Sequence, residues 1–385
     1  MKRYLAPLAL LVLAGLTGTA QTALGQPQTT PARGAIVIDV TSGAVLLEKN
    51  ADTPVPPASM SKLMTLDLVF EALETGRLAL DDKFRTSERA ATMGGSKMFI
   101  RSGELVSVED LLRGVIVQSG NDAAVALAEA ISGTEEAFAA LMNQRAPDIG
   151  LTASHFANAT GWPDPQHRMS PRDLATLAER IITRYPQHYG LFSEAEFTWD
   201  EITQKNRNPL LGAGIGADGL KTGHTSEAGY GLVASAKRGD RRILLVVTGL
   251  ESAQQRRQEA ERLINWAFRA FETTRLYKAG ERIAEAGVWI GAADTVALAP
   301  ARDLIVTAPY GMLEKAQITA HFSEPVEAPV AAGAELGRLE VALPGVTPVS
   351  VPLVAMETVE RGGIPARLEA AARLLLKRLL AAAEG

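Results

Sequence analysis

Two short apolar runs, at 35–40 and 44–47, flank the turn residues Thr41-Ser42-Gly43 and predict a β-hairpin. From residue 60 the spacing changes. Apolar residues recur at three- and four-residue steps over 60–74, 108–117, 121–131, 134–148 and 171–185, the period of amphipathic helices. Strand-like runs return at 229–236 and 243–249 around Arg238-Gly239-Asp240, and a long helical pattern then covers 253–271. Strands at both ends of a helical region predict one sheet assembled from distant segments, covered by helices and carrying a helical insertion. Such a domain spans about 26–274. Beyond Tyr277 the runs shorten (287–290, 295–298, 304–307, 316–322, 335–341 and 349–354) and are broken by Gly, Pro and Asp. They predict a small all-β module, a sandwich, over 275–360.

The two ends carry different signals. Met1-Lys2-Arg3 precedes an apolar run from Leu5 to Leu16 and small residues near Ala20 and Gly25, the pattern of a secretory signal peptide over 1–25. Cleavage after Ala20 or after Gly25 fits equally, and the run is shorter than the roughly 20 apolar residues of a membrane span. At the other end, Gly362-Gly363 and Pro365 open a segment in which Leu368, Ala372, Leu375, Leu376 and Leu379 share one helical face while Arg373 and Lys377 lie opposite. An amphipathic helix over 361–385 suits an anionic membrane surface, and an ordinary helix packed on its own domain or paired with another chain is the alternative. The expected location is therefore outside the cytoplasm: exported, periplasmic and held peripherally on the outer face of the inner membrane.

Composition narrows the chemistry. The 385 residues include no cysteine, which excludes disulfides, thiolate nucleophiles and cysteine-ligated metals. Five histidines form no metal-type pair, and no cofactor is implied. With 39 basic against 44 acidic residues the net charge is −5, which argues against a nucleic-acid partner.

Three strings remain. In Pro57-Ala58-Ser59-Met60-Ser61-Lys62, Ser59 falls at the predicted helix start and Lys62 follows three residues later on the same face. A serine hydroxyl is a poor nucleophile at neutral pH, and a neutral lysine in a dry, cationic pocket can take its proton. Alone, Ser-x-x-Lys weighs little: composition yields about one by chance in a chain of this length, and a helix N-cap explains it too. The second string, Ser119-Gly120-Asn121, sits between two helical stretches, where a hydroxyl and an amide can face one cleft. A capped turn explains it equally well. The third, Lys221-Thr222-Gly223-His224, precedes the run at 229–236 and would present a cation from a sheet edge.

Together and in this order, the strings match the motif set of penicillin-binding proteins and class A β-lactamases. The longer strings Ser119-Gly120-Asn121-Asp122-Ala123 and Lys221-Thr222-Gly223-His224-Thr225 make the chain resemble the low-molecular-mass penicillin-binding D-alanyl-D-alanine carboxypeptidases. The resemblance spans nearly the whole chain. It implies an α+β, β-lactamase/transpeptidase-like domain, with an antiparallel sheet, helices on both faces and a helical subdomain. A small all-β sandwich and the C-terminal amphipathic helix follow.

For the site, the resemblance implies Ser59 as the acylated nucleophile, Lys62 as its base and Ser119 as the proton carrier to the leaving amine. Asn121 would bond the substrate's acyl-side amide, while Lys221 would supply positive potential that keeps Lys62 neutral. Backbone N–H groups of Ser59 and His224 would form the oxyanion hole, with Gly223 between His224 and Thr222. Thr222 and an arginine would hold the terminal carboxylate. Arg256 is matched because Arg256-x-x-Glu259 fits the family pattern before Trp266, with Arg257 as its rival. His155 and Asp173 would order the loop beside the cleft. The implied reaction removes the terminal D-alanine from peptidoglycan stem pentapeptides through an acyl-enzyme, and β-lactams would acylate the same serine. Alternatives are a D,D-endopeptidase, a class A-like β-lactamase and a non-catalytic cell-wall scaffold. The β-lactamase reading lacks its deacylating string, since 158–171 holds Asp164 but no Glu-x-x-x-Asn.

Overall fold

The computed structural model describes residues 28–364 together with 368 and 372. The signal segment expected at 1–25 lies outside the described residues, as does nearly all of the C-terminal helix expected at 361–385.

In chain order the first domain comprises β1 (Gly34–Asp39), β2 (Ala44–Lys49), α1 (Lys62–Glu74), β3 (Lys83–Arg85), α2 (Glu88–Thr92), β4 (Leu105–Ser107), α3 (Val108–Ile116), α4 (Asn121–Ser132), α5 (Glu135–Asp148), α6 (Pro171–Arg184), α7 (Pro186–Tyr189), β5 (Glu196–Trp199), β6 (Ile202–Lys205), β7 (Ala217–Thr225), β8 (Gly229–Arg238), β9 (Arg241–Leu250) and α8 (Ala253–Ala270). Helix starts follow local chemistry. The hydroxyls of Ser107, Thr134, Ser170 and Ser252 accept backbone N–H groups of α3, α5, α6 and α8, and Pro171 takes the first position of α6.

The main sheet has the order β2-β1-β9-β8-β7, with every neighbour antiparallel. Its inner strands β1, β9 and β8 are buried on both faces because alternate side chains enter different cores. Ala35, Val37, Leu232, Leu245 and Val247 pack with Leu263 and Ile264 of α8. Ile36, Val233, Leu244 and Val246 point the other way, onto Leu63 and Leu66 of α1 and Leu174 and Leu177 of α6. The chain between β2 and β7 carries α1 to α7 as the helical insertion, so the two sheet edges are reached from far-apart parts of the sequence.

Two local readings change. The third string is not a segment ahead of a strand: it lies inside β7, the edge strand, whose Gly, Asp and Lys content hides it from β-propensity. The last helix ends at Ala270, one residue short of the predicted 271. There Arg241 donates to the carbonyls of Ala267 at 3.1 Å and Phe271 at 2.6 Å, and Phe271 becomes the first residue of a strand.

That strand, β10 (Phe271–Tyr277), leads the second domain: β11 (Ala284–Trp289), β12 (Thr295–Pro300), β13 (Leu304–Pro309), β14 (Gln317–Phe322), β15 (Val326–Glu327), β16 (Glu335–Leu343) and β17 (Val346–Ala355). β10 pairs with β13, and the rest form a curled sheet of order β14-β16-β17-β12-β11-β15 around two small apolar clusters. At the junction the buried Asp39 carboxylate accepts from Arg241 Nε at 2.6 Å and from Thr273 Oγ1 at 2.7 Å, tying the first hairpin to β10.

Candidate active site

Ser59 lies in a 3-10 turn (Ala58–Ser61) just ahead of α1, not at the start of the α-helix itself. Ala58 at φ +50° keeps the segment from being α-helical, and Lys62 is the first α residue. The turn is clasped from outside by Gly161, where a Cβ would stand 1.9 Å from the Ala58 carbonyl oxygen, so only glycine fits. Strand β7 approaches from the other side. A Cβ on Gly223 would meet Pro57 O at 2.7 Å and Met60 Cγ at 3.0 Å, which explains the glycine within the third string.

The structure brings the first two strings together through Lys62. Its Nζ lies 2.9 Å from Ser59 Oγ, 2.7 Å from Asn121 Oδ1 and 2.6 Å from the Thr160 carbonyl. Asn121 is fixed at both ends, since its Nδ2 donates to Gly94 O at 2.7 Å. Ser119 sits between α3 and α4 at φ +65°, a left-handed conformation costing roughly 1 kcal/mol or more for a non-glycine residue. Its buried hydroxyl has no hydrogen-bond partner among the described residues.

In β7, Lys221 and Thr222 are buried. His224 is exposed and stacks on Tyr230 with 3.9 Å between ring centroids. Arg256, rather than Arg257, reaches back to the sheet: its guanidinium lies 5.6 Å from the centre of the same Tyr230 ring, and Nη1 is 3.5 Å from Gly231 O. His155 and Asp173 do not line the cleft. They brace the loop beside it, His155 by paired backbone bonds to Arg168, and Asp173 by accepting from Ala153 N at 2.8 Å and Ser154 Oγ at 2.6 Å.

Three supporting groups received no role from the sequence. Asn158 Oδ1 accepts the backbone N–H groups of Thr160, Gly161 and Trp162 at 3.1, 2.8 and 3.0 Å, holding the turn that aims the Thr160 carbonyl at Lys62. Glu135 Oε1 accepts Ala159 N at 3.3 Å and so steadies the same turn. The buried Asp122 carboxylate accepts from Met98 N at 2.9 Å and Phe99 N at 2.8 Å, fixing the loop that carries Gly94. A side chain next to the second string was the one available hint.

Electrostatics follow from dryness. Burial pulls the Lys62 amine down to about 7, against Asp122 and Glu135, which favour its charged form. Lys221 falls well below the ordinary lysine range, by burial first and then by the nearby charges of Lys62, Arg207 and Arg256. The pocket opens into a cleft of ≈ 520 Å³ lined by Ser59, Asn121, Thr160, Trp162, His224 and Glu227. Among the described residues no group of three or more metal-ligating side chains is assembled.

Comparison with known proteins identifies the family of both domains. A family model described as D-alanyl-D-alanine carboxypeptidase matches residues 20–252, and one described as penicillin-binding protein 5, C-terminal domain, matches residues 271–361. The chain is 39% identical over 345 residues to the D-alanyl-D-alanine carboxypeptidase DacC of Escherichia coli K12, covering 88% of this chain and 86% of that protein. It superposes on penicillin binding protein 5 from Haemophilus influenzae with a TM-score of 0.83 at 38% identity, covering 88% of this chain and 100% of the other. Ampicillin-bound penicillin-binding protein D2 from Listeria monocytogenes is similar over 62% of this chain and 97% of its own, at 33% identity and a TM-score of 0.57.

Proposed function

Because the chain belongs to the D-alanyl-D-alanine carboxypeptidase family, we propose that Ser59 is its acylated nucleophile and Lys62 the base that activates it. The contact between Lys62 Nζ and Ser59 Oγ at 2.9 Å carries the assignment. A neutral amine has two N–H bonds and one lone pair. Asn121 Oδ1 and the Thr160 carbonyl only accept, so they occupy the two N–H bonds and leave the lone pair for the serine proton. The Asn121 oxygen is the one facing Lys62 because its nitrogen is committed to Gly94 O.

Ser59 Oγ then attacks the carbonyl of the penultimate D-alanine in a peptidoglycan stem pentapeptide while its proton passes to Lys62. The developing oxyanion is bound by the N–H groups of Ser59 and His224. Edge position supports this, since among the described residues β7 has no neighbouring strand on its Ser59 side to take its outward N–H groups. Ser119 relays a proton from the Lys62 ammonium to the departing amine of the last D-alanine, giving up its own hydroxyl proton and regaining one, so that Lys62 returns to its neutral form. Water cleaves the resulting ester and restores Ser59. Thr222 and Arg256 hold the substrate's terminal carboxylate, while Asn121 bonds its acyl-side amide. Burial pushes Lys221 toward its neutral form, so the positive potential of the pocket rests on the arginines beside it, Arg207 and Arg256. A β-lactam enters by the same attack but keeps its leaving group tethered, which the similarity to an ampicillin-bound protein supports. The charge and apolar pattern of 365–383 supports attachment to the outer face of the inner membrane after export. Product analysis on a peptide ending in D-Ala-D-Ala tests the reaction. Release of one equivalent of D-alanine is expected, and an intact peptide, or its release by Ser59→Ala at the wild-type rate, refutes it.

A further inference from the structure

Arg256 is held differently from the other half-buried arginines of the first domain. Arg180, Arg241 and Arg242 each meet a carboxylate, those of Asp67, Asp39 and Asp218, at 2.8, 2.6 and 2.8 Å. Arg256 has no such partner. Among the described residues its Nε is buried and unbonded, Nη1 reaches Gly231 O only at 3.5 Å, and no acid offsets the burial that pulls its proton affinity down. What faces it is a ring: the centre of Tyr230 lies 5.6 Å from the guanidinium carbon, within the range of a cation–π contact.

Tyr230 is also the cross-strand neighbour of His224. The two residues stand opposite each other in the β7–β8 ladder, and their rings stack with 3.9 Å between centroids and 29° between planes. In the same ladder Gly231, whose carbonyl Arg256 approaches, stands opposite Gly223, and Leu232 stands opposite Thr222. One ring therefore touches both the residue whose N–H is assigned to the oxyanion and the arginine assigned to the terminal carboxylate. An aromatic face also does what an acid could not. It attracts the cation without taking its N–H groups, whereas a carboxylate in that place would neutralise the charge and occupy the donors that the substrate needs.

We propose that Tyr230 is a positioning residue whose ring holds Arg256 and His224 in the arrangement that receives the substrate's terminal carboxylate. This rests on the roles given to Arg256 and His224 under the proposed reaction and adds the group that aims them.

The test compares kcat/KM for a peptide ending in D-Ala-D-Ala with that for its C-terminal amide, which keeps the scissile bond and loses the charge. Wild type is expected to favour the acid about thirtyfold, the weight of a hydrogen-bonded charge. In Tyr230→Leu that ratio should fall about fivefold, while Tyr230→Phe, which keeps the ring, should retain it. In an Arg256→Leu background, Tyr230→Leu should change the ratio no further. Labelling by fluorescent penicillin verifies that the variants are folded, and the amide reports any general loosening of the site. A ratio unchanged by Tyr230→Leu, equal falls in Tyr230→Leu and Tyr230→Phe, or a further fall in the Arg256→Leu background overturns the positioning role alone. A wild-type ratio of one overturns the role of Arg256 and this proposal with it, and failure of the acid to release D-alanine overturns the catalytic reading beneath both.

Discussion

The two domains solve the same packing problem with opposite tolerance for buried charge. Among the described residues every buried charged side chain, including Lys62, Asp122, Glu135 and Lys221, precedes β10. The second domain buries one uncharged polar side chain, Thr307, and its hydroxyl faces the junction, 2.6 Å from Ser42 Oγ. Burying an ionisable group costs several kcal/mol unless it is paired or neutral, so a fold built only for cohesion avoids it, as the β-rich domain does. The first domain accepts that cost in two ways: Asp39, Asp67 and Glu259 are paired with arginines away from the cleft, while Lys62 and Lys221 are buried beside it. The outcome is an amine whose proton affinity lies near neutrality, the property a base needs.

The largest break in the contrast comes from removing that amine. Lys62→Ala is expected to slow acylation by penicillin by about 10²–10⁴-fold, the usual weight of a positioned base, while circular dichroism shows a folded protein. A variant acylated at the wild-type rate would return Lys62 to a structural role.

How much of this was legible depended on whether the information was local. Ser59 with Lys62, and Ser119 with Asn121, were readable because each pair lies within one short string. Their convergence was not, since it is made by a backbone carbonyl at Thr160 and an Asn121 amide whose far end bonds Gly94. Asn158 looks like any loop asparagine until its oxygen is seen gathering three N–H groups. Strand β7 escaped because its burial comes from the turn and helix around it, not from its own residues. Arg256 and Arg257 are about 100° apart on α8, so only the position of Tyr230 in the neighbouring strand distinguishes them.

A smaller effect follows for Asn158. Asn158→Ala should lower the acylation rate about tenfold by loosening the Thr160 carbonyl, and Asn158→Asp, which keeps an accepting oxygen, should recover most of it. Equal loss in both, or loss matched by a fall in Tm alone, would mean that the residue merely stabilises the loop.

The pH dependence separates catalysis from stability. Acylation needs neutral Lys62, so its rate should climb as pH rises through about 7. Stability answers to a different group. Burial holds the His167 imidazole down to about 4, so between the ordinary 6.5 and that value the unfolded chain binds a proton that the folded chain refuses. Stability is then expected to fall as pH drops through this window, by on the order of 3 kcal/mol at its foot. His167→Gln should flatten urea denaturation midpoints across the same range, and an unchanged slope would remove His167 as the cause.

The smallest expected change concerns the end of the chain. Removing residues 365–385 should leave hydrolysis of a soluble peptide unaltered and release the protein from membrane fractions. Continued sedimentation with membranes would count against the amphipathic anchor.

The most direct measurement is the mass and location of the penicillin adduct. Intact-mass spectrometry followed by peptide mapping should find one penicilloyl group on the peptide containing Ser59, and none on Ser59→Ala under the same exposure. An adduct on a different residue, or equal modification of the alanine variant, would contradict the account at its root.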